Sequence, residues 1–175
     1  MATTTTTNLP PPRLITTSHN PSGQSTLSVS HPPAFQPFGP TRTTFHHIYT
    51  SSTVPIPRSN LLAAPPTNEP TSESQAIPYA PPAGVTGTIM DIPVGKGAPM
   101  HKTRSLDYCI VLSGEVVLVV EEGGREEVIK QGEAVVQRGT VHAWENRGKE
   151  VARMFVVVVG SAEVPVEVEK GDGPH

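Results

Sequence analysis

From residue 84 onward, short apolar runs alternate with glycine-bearing turns: TGTIMDIPV, LDYCIVLSG, EVVLVVEEGG, REEVIKQG, EAVVQRG, VHAWENRG and VARMFVVVVG. Turn signals recur about every ten residues, a spacing that predicts a small all-β sandwich or barrel. No helix of any length and no solenoid-type repeat is visible. Two of the predicted strands, VVLVV (116–120) and MFVVVV (154–159), are apolar at every position. A half-exposed antiparallel strand alternates, so both faces of these two are expected to be covered. The N-terminal hairpin described next, a partner subunit, or both would serve.

The first half of the chain follows different rules. RLITTSHNPSGQSTLSVS predicts a hairpin, with two β-prone runs around the turn Asn20-Pro21-Ser22-Gly23, and TTFHHIYT predicts a further extended stretch. STVPIPRSNLLAAPPTNEPTSESQAIPYAPP reads as a long proline-rich connector. Of 20 prolines, 16 fall in residues 1–82, where the charged side chains are Arg13, Arg42, Arg58, Glu69 and Glu73 alone. Proline removes a backbone donor and disfavours helix there. Leu14, Ile15, Leu27, Val29, Phe35, Phe38, Phe45, Ile48 and Tyr49 are too many apolar groups for a pure linker. The expected organisation is a disordered tail over 1–12, a Pro-rich arm with short strands over 13–82, a barrel over 84–160 and a tail over 161–175.

A net charge of −3 gives no basic face for nucleic acid. The lone cysteine, Cys109, excludes an intrachain disulfide. No apolar run approaches the roughly 20 residues that span a bilayer, and MATTTTTNLPPPRL lacks the apolar centre of a secretory signal. The expectation is a cytoplasmic protein with no nucleic-acid or membrane partner.

Two stretches carry candidate chemistry. GKGAPMHKTRSLDYCIVLSG sets Gly95, His101, Asp107 and Gly114 in order, and GEAVVQRGTVHAWEN sets Gly132, Gly139, His142 and Asn146. Their spacing resembles the two motifs of the cupins, G-x5-H-x-H-x3,4-E-x6-G and G-x5-P-x-G-x2-H-x3-N, with one residue missing between Gly132 and Gly139. The resemblance covers about residues 84–160 and is nearest to small single-domain cupins of bacteria and of fungal secondary-metabolite gene clusters. It implies a jelly-roll barrel, a double-stranded β-helix, preceded by the extended arm. Three family positions differ: Thr103 replaces a histidine, Asp107 a glutamate and Gln137 a proline.

What the resemblance implies for the site follows from those matches. His101, Asp107 and His142 would be metal ligands, since two histidines and one carboxylate with open positions suit Fe2+ first and Mn2+, Zn2+ or Ni2+ as alternatives. Asp107, released from the ion, would be the general base. Strand alternation puts Asp107, Cys109 and Val111 on one face, and His142, Trp144 and Asn146 on one side. Trp144, Cys109 and Asn146 are thus candidate pocket residues, Met100 beside His101 is a further candidate, and Arg138 is a candidate anchor for an anionic substrate or a solvated surface arginine. Tyr108 is expected to pack on the opposite face, and Thr103 to be structural. The implied activity is metal-dependent tailoring of an aromatic or polyketide-like small molecule, redox chemistry ahead of a lyase reaction such as decarboxylation, dehydration or isomerisation. A non-catalytic small-molecule-binding module is the other class. A homodimer is expected in either case.

Overall fold

The computed structural model describes residues 9–35, 43–58 and 80–161; residues 36–42 with Phe38, residues 59–79 of the proline-rich connector and most of both expected tails lie outside them. The alternating pattern folds as strands throughout: β1 (Leu14–His19), β2 (Ser25–Ser30), β3 (Ala34–Phe35), β4 (Thr44–Ser51), β5 (Val85–Ile92), β6 (Gly97–Lys102), β7 (Ser105–Ser113), β8 (Glu115–Val120), β9 (Glu126–Lys130), β10 (Ala134–Arg138), β11 (Val141–Glu145) and β12 (Ala152–Gly160). A 3-10 turn lies between β8 and β9 at Glu122–Gly124.

Three antiparallel sheets result. A six-stranded sheet runs β10-β7-β12-β5-β4-β3, a four-stranded sheet runs β6-β11-β8-β9, and β1-β2 stands apart as a hairpin. The two larger sheets enclose one core, and period two decides what enters it. From β12 come Ala152, Met154, Val156 and Val158, and from β7 Cys109 and Val111, all buried. Met90 and Ile92 of β5 and Val116 of β8 complete the same cluster. This is the barrel that the pattern after residue 84 predicts, in the jelly-roll form that the resemblance implies.

The barrel also takes strands from the proline-rich half. β4 pairs with β5 in register from Thr44↔Asp91 to Ser51↔Val85, and its Phe45, 2% exposed, belongs to the core. Thr43 Oγ1 donates to the Gly97 carbonyl at 3.1 Å, tying the start of β4 to the second sheet. Gly97 is required where it stands, because a Cβ there would lie 2.0 Å from the Trp144 carbonyl oxygen.

On the outer side of the six-stranded sheet, Arg153 grips Asp91 through Nε–Oδ1 at 2.6 Å and Nη2–Oδ2 at 2.7 Å. His46 Nε2 lies 3.6 Å from Asp91 Oδ2. Burial raises the Asp91 pKa, but the Arg153 fork and His46 more than offset it, and the carboxyl sits below its ordinary range. The same Arg153 Nη2 donates to the Pro10 carbonyl at 3.0 Å and so fixes the root of the N-terminal arm.

The expectation for the two all-apolar strands divides. The outer side chains Val117 and Val119 of β8 are buried with Ala143 in a second small cluster, while the outer Phe155, Val157 and Val159 of β12 are half-buried. In the hairpin every residue of β2 is exposed, while Leu14, Thr16 and Ser18 of β1 are half-buried. The hairpin has the predicted form: β1 and β2 pair from Leu14↔Ser30 to His19↔Ser25, and Asn20 Oδ1 accepts from the Ser22 and Gln24 amides at 3.0 and 2.9 Å.

Candidate metal and acid-base site

β6 and β11 pair so that His101 and His142 are cross-strand partners. Their ring centroids are 4.4 Å apart with planes inclined by 48°. Each ring is tethered the same way. His101 Nδ1 meets the Pro99 carbonyl at 2.7 Å and His142 Nδ1 meets the Thr140 carbonyl at 2.9 Å. A carbonyl only accepts, so each Nδ1 carries a proton, and in the neutral form of either ring the lone pair is on Nε2. Burial lowers the His142 pKa; the Thr140 carbonyl acts against this, and the nearby His101 adds to it. His142 is therefore a neutral imidazole near pH 7.

Asp107 enters the same space from β7. It is 5% exposed, and its Oδ1 has no hydrogen-bond partner among the described residues. Thr103 Oγ1 donates to Oδ2 at 3.4 Å. Burial raises the Asp107 pKa, with Ser105, Thr103 and His101 pulling the other way. An orphaned buried carboxylate oxygen is costly unless a proton or a cation satisfies it.

One cavity gathers these groups. His101, Thr103, Asp107 and His142 line it on the polar side, and Phe45, Met90, Ala98, Cys109, Trp144, Val156 and Val158 form apolar walls. Trp144 stands edge-on to His142, centroids 6.1 Å apart at 81°. The space open inside is about 40 Å³, against roughly 300–1,000 Å³ for typical ligand pockets. It suits an ion and the reacting group of a substrate rather than a large molecule entire. A wider open groove of about 610 Å³ between Gly95–Pro99 and Glu145–Arg147 is lined by none of the three groups.

A metal at this place, which the resemblance implies, can be weighed against the donors. Two adjacent imidazoles with Nδ1–H bound to backbone carbonyls form the tethered arrangement of metal-ligating histidines, and the unsatisfied Asp107 oxygen is a further anionic donor on the same cavity. Yet among the described residues no three His, Cys, Asp or Glu side chains stand close enough to share one ion. The pair His101–His142 fits; Asp107 borders the pair, turned toward Thr103.

Three residues expected in the pocket lie elsewhere. Met100 precedes His101 on its strand, so alternation turns it outward, 48% exposed. Arg138 follows the inward Gln137 and is exposed. Asn146 is 1% exposed but lies one residue past β11 and is consumed as a clamp. Its Nδ2 donates to the Ile92 and Glu150 carbonyls at 2.7 and 2.8 Å, and its Oδ1 accepts from the Gly148 amide at 2.9 Å. Cys109 lines the cavity as a thiol, its pKa pushed up to about 12 by burial and by Asp107.

Other roles were not evident from the pattern. Thr103, expected to be structural, faces the cavity and binds the carboxylate. Phe45 reaches the wall from far upstream. Gln137, directly opposite Asp107 on β10, donates from Nε2 to the Thr140 hydroxyl and carbonyl. The Gln137–Thr140–His142 chain orients the imidazole, and Gly139, at φ +63°, makes the turn it spans.

A sequence profile described as Cupin domain matches residues 88–158. Phomopsin biosynthesis cluster protein C' of Diaporthe leptostromiformis is 34% identical over 160 residues, covering 90% of this chain and 82% of that protein. The chain is a cupin. Other relatives include phomopsin biosynthesis cluster protein D of the same fungus, 33% identical over 170 residues, with 90% and 82% covered. The cupin-domain-containing oxidoreductase fogC of Aspergillus ruber is 33% identical over 93 residues, 51% of this cupin and 45% of that protein. The cupin domain of Schizosaccharomyces pombe Cnp3 superposes with a TM-score of 0.51 at 12% identity, over 85% of this cupin and 88% of that chain, a likeness of fold. None of the helices among the described residues is long and apolar enough to cross a membrane.

Proposed function

We propose that this cupin tailors a small molecule in fungal secondary metabolism as a metal-dependent oxidoreductase, with the chemistry in the His101–Asp107–His142 cavity. The observation that carries the reading is the cross-strand imidazole pair, both rings tethered through Nδ1, beside a buried carboxylate in an otherwise apolar cavity. Relatives named as biosynthesis cluster proteins and as a cupin-domain oxidoreductase support the metabolic setting and the redox assignment.

In this reading His101 and His142 hold a divalent ion, Fe2+ first. Bound there, the ion supplies Lewis-acid polarisation of a substrate oxygen and a centre for redox chemistry. The chain's own groups do the rest. Phe45, Met90, Trp144, Val156 and Val158 exclude water, which strengthens every electrostatic contact inside. Asp107, uncharged more readily than an ordinary aspartate, accepts or returns a proton at Oδ1, and Thr103 holds Oδ2.

A second reading is favoured by the turn of Asp107 toward Thr103: lyase or isomerase chemistry in which Asp107 and neutral His142 exchange protons with the substrate. Burial makes Asp107 hold its proton to higher pH and His142 release its proton at lower pH than usual, which brings the two groups closer in basicity and lets both serve as proton donors or acceptors to a bound substrate.

Elemental analysis of the purified cupin, its His101→Ala and His142→Ala variants and Asp107→Asn tests both readings. The metal reading expects near-stoichiometric metal in the parent and Asp107→Asn proteins and its loss in either histidine variant. A parent protein that takes up no Fe2+, Mn2+, Zn2+ or Ni2+ on loading would overturn it and leave the acid-base reading.

A further inference from the structure

One part of the barrel's inner face takes no part in the chemistry proposed above. Cross-strand partners share a face of the sheet, and their register maps that face. Asp107 of β7 is paired with Val158 of β12, and Val158 with Thr86 of β5. One rung along, Cys109 is paired with Val156, and Val156 with Thr88. β4 then sets His47 beside Thr88 and Thr50 beside Thr86. Across the sheet, the face is polar at Asp107, apolar at the two valines, and polar again at these four residues. The second polar end adjoins the cavity: Phe45 and Met90 are on its wall, and His47 and Thr88 are the next residues of β4 and β5 on the same face.

These polar groups are linked and, at one atom, left unsatisfied. His47 Nε2 and Thr50 Oγ1 are 2.6 Å apart, and Thr50 Oγ1 and Thr86 Oγ1 are 2.8 Å apart. Each link can run in either direction, because a hydroxyl both donates and accepts and a neutral imidazole has two tautomers. Thr88 is 1% exposed, and its Oγ1 has no hydrogen-bond partner among the described residues. A valine has the same shape and would fill the place without stranding a hydroxyl, which is costly to bury alone.

The group that would meet Thr88 is uncharged. Arg153 is the one Lys or Arg in β4, β5 and β12, and it is turned outward to Asp91. Burial lowers the His47 pKa, so that ring is neutral near pH 7. A carboxylate or phosphate would find no counter-charge at this end, whereas a hydroxyl or keto oxygen can use a donor or an acceptor. Neighbouring strands stand about 4.8 Å apart, which sets the two threonines of β5 about 10 Å from the β7 side chains across the valine wall.

We propose that Thr88, with the His47–Thr50–Thr86 chain beside it, is a recognition subsite for an uncharged hydroxyl or keto oxygen on an otherwise apolar substrate. The reacting end of that substrate lies about 10 Å away, at the His101–Asp107–His142 cavity. The inference rests on the small-molecule reading of the cavity and adds the polarity and span of what the cavity takes.

Fluorescence titration of the full chain at pH 7 with 2-naphthol, naphthalene and 2-naphthoate tests it. The parent should bind 2-naphthol most tightly of the three. Thr88→Val, an isosteric change, should weaken 2-naphthol about fivefold, the usual effect of one neutral hydrogen bond, and leave naphthalene unchanged. Thr88→Ser should keep the preference for 2-naphthol, and His47→Phe should reduce it. His101→Ala should keep it too, because the imidazole pair is not what holds the hydroxyl. Equal affinity of the parent for 2-naphthol and naphthalene, tighter binding of 2-naphthoate, or an unaltered preference in Thr88→Val would each overturn the subsite. A preference lost in His101→Ala but kept in Thr88→Val would put the hydroxyl at the imidazole pair, overturning the subsite while supporting the metal reading. Binding of none of the three probes would overturn the subsite and the small-molecule reading together.

Discussion

His101 and His142 stand directly opposite each other on β6 and β11, their ring centroids 4.4 Å apart, although 41 residues separate them in the chain. Antiparallel pairing alone makes them neighbours; no loop rearrangement is needed. Both Nδ1 atoms are spent on carbonyls two residues upstream, Pro99 and Thr140, so the two Nε2 lone pairs are the ligating atoms this pair has to offer.

That geometry makes Gln137 a positioning residue. It holds Thr140, and Thr140 holds His142. Gln137→Ala should weaken metal affinity by about 10- to 100-fold, the usual effect of losing a group that orients a ligand. Competition titration against a chelating dye measures it. Unchanged affinity would mean that Thr140 holds the imidazole unaided.

The two titrating groups of the cavity give opposite pH signatures. The unfolded chain protonates His142 at about 6.5, while the buried ring in the fold protonates only at lower pH. Between those values the unfolded state binds the extra proton, so stability falls as pH drops through about 6.5. Asp107, raised by burial, acts in reverse: the fold holds its proton at higher pH than the unfolded chain, so ionisation near pH 7 costs stability that returns on acidification. Asp107→Asn should therefore stabilise the metal-free protein at pH 7, and His142→Gln should flatten the loss of stability below about 6.5. Urea titrations at pH 5, 6 and 7 read both; a destabilised Asp107→Asn would mean the carboxylate has a partner in solution.

The barrel and the three polar groups are legible in the sequence because period two and motif spacing are local signals. Asp107, Cys109 and Val111 point inward together, as alternation requires, and Tyr108 points outward. The same rule, applied one residue further, places Met100 and Arg138 outside the cavity. Asn146 escaped the rule because the strand ends at Glu145 and alternation has no force in the loop beyond it. The contribution of β4 is a different kind of omission. Nothing within TFHHIYT says that it pairs with a strand about 40 residues downstream, across a proline-rich stretch, and lends Phe45 to the cavity wall.

Phe45 turns that omission into a measurement. It is 2% exposed in the core and on the cavity wall, so Phe45→Ala should cost about 3–5 kcal/mol by lost transfer energy and the void left behind. Denaturant unfolding at fixed pH tests this. A loss below about 1 kcal/mol would show that β4 is dispensable to the barrel.

Arg153 and Asp91 form a buried ion pair, with the carboxylate side chain 1% exposed. Removing Arg153 leaves the Asp91 carboxylate, 1% exposed, without its two-armed partner and with His46 Nε2 at 3.6 Å as a weaker neighbour. Arg153→Met should cost about 3–5 kcal/mol at pH 7, and the double variant Arg153→Met/Asp91→Leu should recover much of it. The Asp91 pKa is held below its ordinary value, so the pair's contribution is present above about pH 3.8 and lost as pH falls through the lower folded value. The penalty of Arg153→Met should accordingly shrink in acid, as Asp91 loses its charge. Equilibrium unfolding of the three proteins at pH 7 and pH 3 decides it: a double variant no more stable than Arg153→Met would mean that the arginine acts through the Pro10 carbonyl rather than through the carboxylate.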